Sequence, residues 1–245
     1  MEAAATRRID VGRVISQTFS TYGANAGPLL GSAFIIFLIS GVLQGLLNDE
    51  GGLILTLIAT VVGLIAQALY TGFVVRLVED TRDGRRDMTA GQMMSDARPA
   101  ILPLIINGIL RGIAIAIGLF LLIIPGLYLM TIWAVTSPAI VSESEDSIGA
   151  FGRSHELVKG NGWPVFGVIV IAFLITVAVS IVAVAIGAAI GLAGIIILAI
   201  IAGILTAPIS ALVSAILFFD LGGGGGAAAA PPAPVDPPPP PAATV

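Results

Sequence analysis

Six stretches of the chain carry apolar residues on every side of a helix: Pro28–Leu47, Leu53–Val78, Ile101–Ile123, Pro125–Val141, Pro164–Gly187 and Ile195–Phe219. A bilayer core about 30 Å thick is crossed by about 20 helical residues, so each run reads as a transmembrane helix. Lipid offers no water to the backbone, and a helix satisfies its own polar groups. Barrel strands would alternate polar and apolar positions, and these runs do not. The expected fold class is therefore an all-α integral membrane protein with six transmembrane helices. The fourth run is the shortest and opens directly at Ile124-Pro125-Gly126.

Between the runs the pattern becomes one-sided. Val11, Ile15, Phe19 and Tyr22 fall near one helical face, and Ile148, Phe151, His155 and Val158 trace a similar stripe. Thr89-Ala90-Gly91-Gln92 has the capping-box form that starts a helix. Each segment enters an apolar run through proline, at Pro28, at Pro99 and Pro103, and at Pro164. The reading is three units, each an interfacial helix followed by a two-span hairpin.

This divides the chain into a cytoplasmic N-terminal segment (1–27) with its amphipathic helix, a six-span domain (28–221) and a tail (222–245). The tail runs through Gly222–Gly226, Ala227–Ala230 and the proline-rich Pro231–Val245. Such a composition predicts a disordered, solvated cytoplasmic segment. Pro237–Pro241 has the makings of a polyproline ligand for an aromatic groove, but composition alone specifies no partner. Ile9–Tyr22 is amphipathic and not a continuous apolar stretch, so the first run is expected to direct insertion.

Charge then orients the chain. Arg7, Arg8 and Arg13 precede the first run. Arg76, Arg82, Arg85, Arg86 and Arg98 follow the second, and Arg153 and Lys159 lie between the fourth and fifth. With six spans these residues share one side. The other side receives Asn48–Gly52, the Pro125-Gly126 turn and Ala188–Gly194, which contain no Lys or Arg. The positive-inside rule predicts a multi-pass protein of the cell membrane with both termini cytoplasmic.

Composition narrows the function. The chain is 57% hydrophobic and 11% charged, with a net charge of −4 and no cysteine. That excludes a soluble enzyme, a disordered chain and a nucleic-acid-binding domain, since nucleic acid rewards a basic face. His155, the single histidine, stands between Ser154 and Glu156, but adjacent helical residues diverge by about 100° and cannot align as a triad. No catalytic residue, metal site or cofactor is expected.

The ionisable residue deep in an apolar run is Arg111, placed near the midplane by its position in Ile101–Ile123. Asn107 and Gln67, with Gln44, are its expected polar neighbours. Together these residues suggest an intramembrane polar site that holds an anion or lipid phosphate, or else a structural arginine bound to carbonyls freed near Pro103 and Pro125-Gly126. Arg153, Lys159 and Trp163 are the candidate interfacial lipid contact, the cations reaching headgroups and the indole sitting at their depth. Gly41/Gly45, Gly108/Gly112 and Gly187/Gly191 form GxxxG pairs suited to helix packing or to a homo-oligomer or protein partner.

Leu121-Leu122-Ile123-Ile124-Pro125-Gly126, Trp133, Pro138-Ala139 with Glu143, and Arg153-Ser154-His155-Glu156-Leu157-Val158-Lys159-Gly160 resemble the membrane domain of glycerophosphoryl diester phosphodiesterases. They are also similar to a wider group of uncharacterised prokaryotic multi-span membrane proteins, and Phe218-Phe219-Asp220-Leu221 resembles that group's ending. In the diesterases this domain accompanies a separate catalytic domain, so the resemblance implies a membrane module without diesterase activity. Two functions follow as expectations. One is a non-enzymatic module organising lipid or a partner protein. The other is a small transporter with a midplane site around Arg111.

Overall fold

The structure, a computed structural model, describes residues 8–48, 52–82 and 87–224. Arg7, Arg85, Arg86 and the tail from 225 onward lie outside the described residues, as do the side chains of Gln44 and the Gly41/Gly45 pair. Among the described residues there is helix and no strand.

The described residues form ten α-helices in order: α1 (Val11–Ala24), α2 (Ala26–Asn48), α3 (Gly52–Thr81), α4 (Ala90–Asp96), α5 (Ile101–Leu121), α6 (Ile123–Ile132), α7 (Thr136–Glu143), α8 (Gly149–Val158), α9 (Gly162–Ile190) and α10 (Leu192–Asp220). Five helical stretches, Thr56–Thr81, Ala90–Leu121, Ile123–Glu143, Gly162–Ile190 and Leu192–Asp220, are long and apolar enough to cross a membrane. The chain is an all-α, multi-pass membrane protein.

The helices pair as three hairpins, α2 with α3, α5 with α6 and α9 with α10, and each follows one short helix. Local chemistry sets these short helices. Asp10 caps α1 by accepting from the Arg13 N–H at 2.9 Å. Thr89 and Gln92 form both halves of the expected capping box on α4. Gly160, at φ 86°, lets the chain leave α8 where an L side chain would strain.

Burial concentrates at one end, where the short helices and the feet of the hairpins meet. The core there includes Val14, Tyr70, Phe73, Leu77, Val141, Val165 and, on α10, Leu212, Ile216, Leu217 and Phe218. Two predicted stripes turn out differently. On α1, Val14 and Thr18 are buried while Phe19 is 44% exposed. On α8 the buried line is Ala150, Ser154 and Val158, and Ile148 faces outward. Small residues let α8 approach α7 closely, and bulk on that face would hold it off.

The ion pairs among the described residues gather at the same end. Arg13 of α1 pairs with Asp220 of α10 at 2.9 Å, and the guanidinium of Arg82 lies 4.3 Å from the ring centroid of Phe219. Arg76 of α3 binds Glu79 at 2.7 Å and donates to the Val141 carbonyl of α7 at 2.8 Å. The Ile9 N–H donates to Asn161 Oδ1, tying the start of α1 to the start of α9.

Candidate functional site

The fourth apolar run is broken inside the protein. α6 ends at Ile132 and α7 begins at Thr136, with Trp133 and Val135 holding ψ angles near 20°. Pro138 has no N–H, so it cannot bond the Ala134 carbonyl one turn back. The carbonyls of Ile132, Trp133 and Ala134 therefore need partners from elsewhere, because a buried orphan carbonyl is costly.

Three elements supply them. Ser154 of α8, fully buried, donates to the Ile132 carbonyl at 2.8 Å and accepts from the Val135 N–H at 3.2 Å. Ser214 of α10 donates to the Ala134 carbonyl at 2.7 Å. Arg111 of α5 reaches Trp133 with Nη1 at 3.4 Å and donates to Thr136 Oγ1 at 3.1 Å. One hydroxyl thus bridges both lips of the break, and a second hydroxyl and a guanidinium complete it.

Arg111 and Asn107 lie one turn apart on α5 but serve different partners. Asn107, 1% exposed, donates to the Ser147 carbonyl at 2.9 Å, in the loop that carries Glu145 and Asp146. Arg111 therefore stands about 6 Å further along α5 than the residue bonded to this acidic loop, at 1.5 Å per residue. Its carbonyl partner belongs to the break after Ile132, and not to Pro103 or Pro125-Gly126. Gln67 is exposed on α3, and among the described residues its side chain makes no hydrogen bond with Arg111 or Asn107.

The Arg111 guanidinium keeps donors to spare. Among the described residues Nε and Nη2 have no hydrogen-bond partner, and none of the four ion pairs includes Arg111. Gly108 and Gly112 flank it, and a Cβ built on either would meet nothing within 4 Å. Ile109, Leu110 and Ile113 beside them are 43%, 43% and 55% exposed. The arginine is half-buried behind an open, small-residue face.

The three interfacial candidates separate. Arg153 is held by Glu143 through Nε–Oε2 at 2.6 Å and Nη2–Oε1 at 2.8 Å, and that hydrogen-bonded carboxylate raises its pKa. Lys159 is exposed at the end of α8, and Trp163 is 85% exposed on the first turn of α9. Sequence reasoning missed Ser154 as a bridge and Ser214 altogether; Pro138 was the available signal for the break.

A cavity of about 360 Å³ lies between α2, α3 and α4, lined mainly by Pro28, Ile35, Ile36, Phe73 and Met94. Neither Arg111, Asn107 nor Gln67 borders it. No family model, no curated protein and no solved structure matches the chain.

Proposed function

We propose that the chain is a non-enzymatic integral membrane module that organises anionic lipid around its charged end. The observation that carries this reading is the half-buried Arg111, whose charge has no carboxylate partner among the described residues and whose side of α5 is open at Gly108 and Gly112. An uncompensated guanidinium just below the headgroups attracts a phosphate, which offers several acceptor oxygens. Lys159 and Trp163 support the same reading as an exposed cation and indole at the interface. The positive-inside rule supports a cell-membrane location with the charged end, and both termini, in the cytoplasm. The resemblance to the diesterase membrane domain, which accompanies a separate catalytic domain, agrees with a supporting role in the membrane.

A transporter would need a polar path to Arg111. The cavity beside α2 has an apolar lining and lies elsewhere, which favours the lipid module.

The test is mass spectrometry of lipids retained after purification in nanodiscs of native lipid followed by detergent exchange. The unaltered chain should keep phosphatidylglycerol or another anionic phospholipid over neutral species, and Arg111→Gln should lose that excess. Equal lipid composition in both proteins would overturn the proposal.

A further inference from the structure

The second and third hairpins differ in height, and the helix break provides a common reference level. Arg111 and Ser214 both bond to it, through Trp133 and Ala134. From Arg111 the second hairpin continues 11 residues to its turn at Leu122, about 16 Å of helix. From Ser214 the third hairpin continues 22 residues to Leu192, about 33 Å. The second hairpin is half as tall.

Both cannot end at the far surface of one bilayer. A far surface level with Leu122 would leave the outer part of α9 and α10 in water, including Ile181, Ile186, Ile190, Leu192, Ile196 and Ile197, each more than half exposed. A stretch so long and wholly aliphatic does not stand in water. The first turn of α9 carries Trp163, and the helix then runs about 40 Å to Ile190, enough to cross a core of about 30 Å with tilt. The far surface therefore lies near the tip of the third hairpin, and the second stops inside the hydrocarbon.

We infer that the α5–α6 hairpin enters the bilayer from the charged end and turns back near the midplane, with Phe120–Ile124 packed against the ends of lipid acyl chains. Its tip has the required chemistry. Phe120, Leu121, Leu122, Ile123 and Ile124 are each at least 67% exposed, and no polar side chain occurs between Gly112 and Pro125. The first hairpin turns instead through a sequence containing Asp49 and Glu50, suited to water.

Backbone exposure at the turn, costly in lipid, is kept small. One residue separates the helices, the Leu122 N–H donates to the Gly118 carbonyl at 3.0 Å, and Pro125 has no N–H. Gly118 and Gly126 bring the two arms together, since a Cβ on Gly118 would lie 3.0 Å from the Gly126 Cα. The far leaflet then holds the third hairpin without the second, so the bundle is broader at its charged end. This inference does not depend on the lipid reading of Arg111.

The chain has no cysteine, so single cysteines report directly. A membrane-impermeant maleimide should modify Lys159→Cys from one face of sealed vesicles and Ala189→Cys from the other. Ile123→Cys should react from neither face and become reactive in detergent. Labelling of Ile123→Cys from the Ala189 face would overturn the inference. Leu122→Cys carrying a bimane gives an independent depth. Its fluorescence should be quenched more by phospholipids brominated near the acyl-chain end than by those brominated near the carbonyl. The reverse order would overturn the inference even if labelling failed.

Discussion

Arg153 grips Glu143 with two parallel hydrogen bonds, 2.6 and 2.8 Å long, and a third acceptance by the same carboxylate, from the Gly224 N–H at 2.8 Å, draws in the residues just after α10. Three segments meet at this one carboxylate: the end of α7, the middle of α8 and the residues after α10. The pair is partly solvated, with side chains 31% and 15% exposed, so its worth is modest despite its geometry. Glu143→Ala should lower thermal stability in detergent by about 1–2 kcal/mol, and Arg153→Ala by a similar amount. The double variant should cost clearly less than their sum. Strict additivity in that cycle would mean that the two side chains act independently.

The helix break makes a stronger demand. Ser154→Ala leaves both the Ile132 carbonyl and the Val135 N–H unpartnered at a fully buried position, a cost of about 2–4 kcal/mol. Ser214→Ala strands the Ala134 carbonyl alone and should cost about half as much. Thermal unfolding of the two variants, followed by circular dichroism, checks the order. A Ser154→Ala protein as stable as the parent would show that the break does not depend on this hydroxyl.

The same break marks where the sequence stops being legible. The six apolar runs, the three short helices and the proline entries are periodic or local features, and the structure contains them as helix, with the fourth run interrupted at Trp133–Val135. Ile132-Trp133-Ala134-Val135 contains neither glycine nor proline, and only Pro138 hints that the run is divided. What completes the break are residues 19 to 80 positions away, Ser154, Arg111 and Ser214, and no local pattern signals such pairings. Arg111 is conspicuous as a charge in an apolar run, but that its turn of α5 adjoins the acidic loop follows from the Asn107 bond to Ser147, a tertiary fact. The buried face of α8 differs from the apolar stripe in the sequence because it is built from Ala150 and Ser154, which hydrophobic periodicity passes over.

Glycine pairs that look alike in sequence should behave differently. A Cβ on Gly187 would fall 2.6 Å from the Ile195 Cα and 2.8 Å from its nitrogen, both backbone atoms of the facing helix. Gly187→Ala must push α9 and α10 apart at their tip, and about 1–3 kcal/mol of destabilisation is expected. Gly108→Ala meets open space on α5 and gains helix propensity, so its stability should be unchanged or raised by up to about 1 kcal/mol. Melting temperatures of the two variants in one detergent decide this. Equal losses would show that Gly108 is packed against something as closely as Gly187.

The boundary between folded chain and tail yields a sharper expectation than composition allows, because the glycine run starts before the fold stops. α10 ends at Asp220, Gly222 takes φ 92°, and the N–H groups of Gly222 and Gly223 return to the carbonyls of Phe219 and Phe218 at 3.1 and 2.9 Å. This paired closure, with a left-handed glycine after the cap, satisfies carbonyls that would otherwise be orphaned at the charged end. Gly224 then adds its bond to Glu143. Removing residues 225–245 should leave insertion and thermal stability unchanged. Removing 222–245 takes away the closure and one partner of Glu143, and should cost about 1–2 kcal/mol while still permitting insertion. Expression and melting of the two truncations in parallel provide the measurement. If both melt with the parent, the closure at Gly222–Gly224 contributes nothing and the fold ends at Asp220.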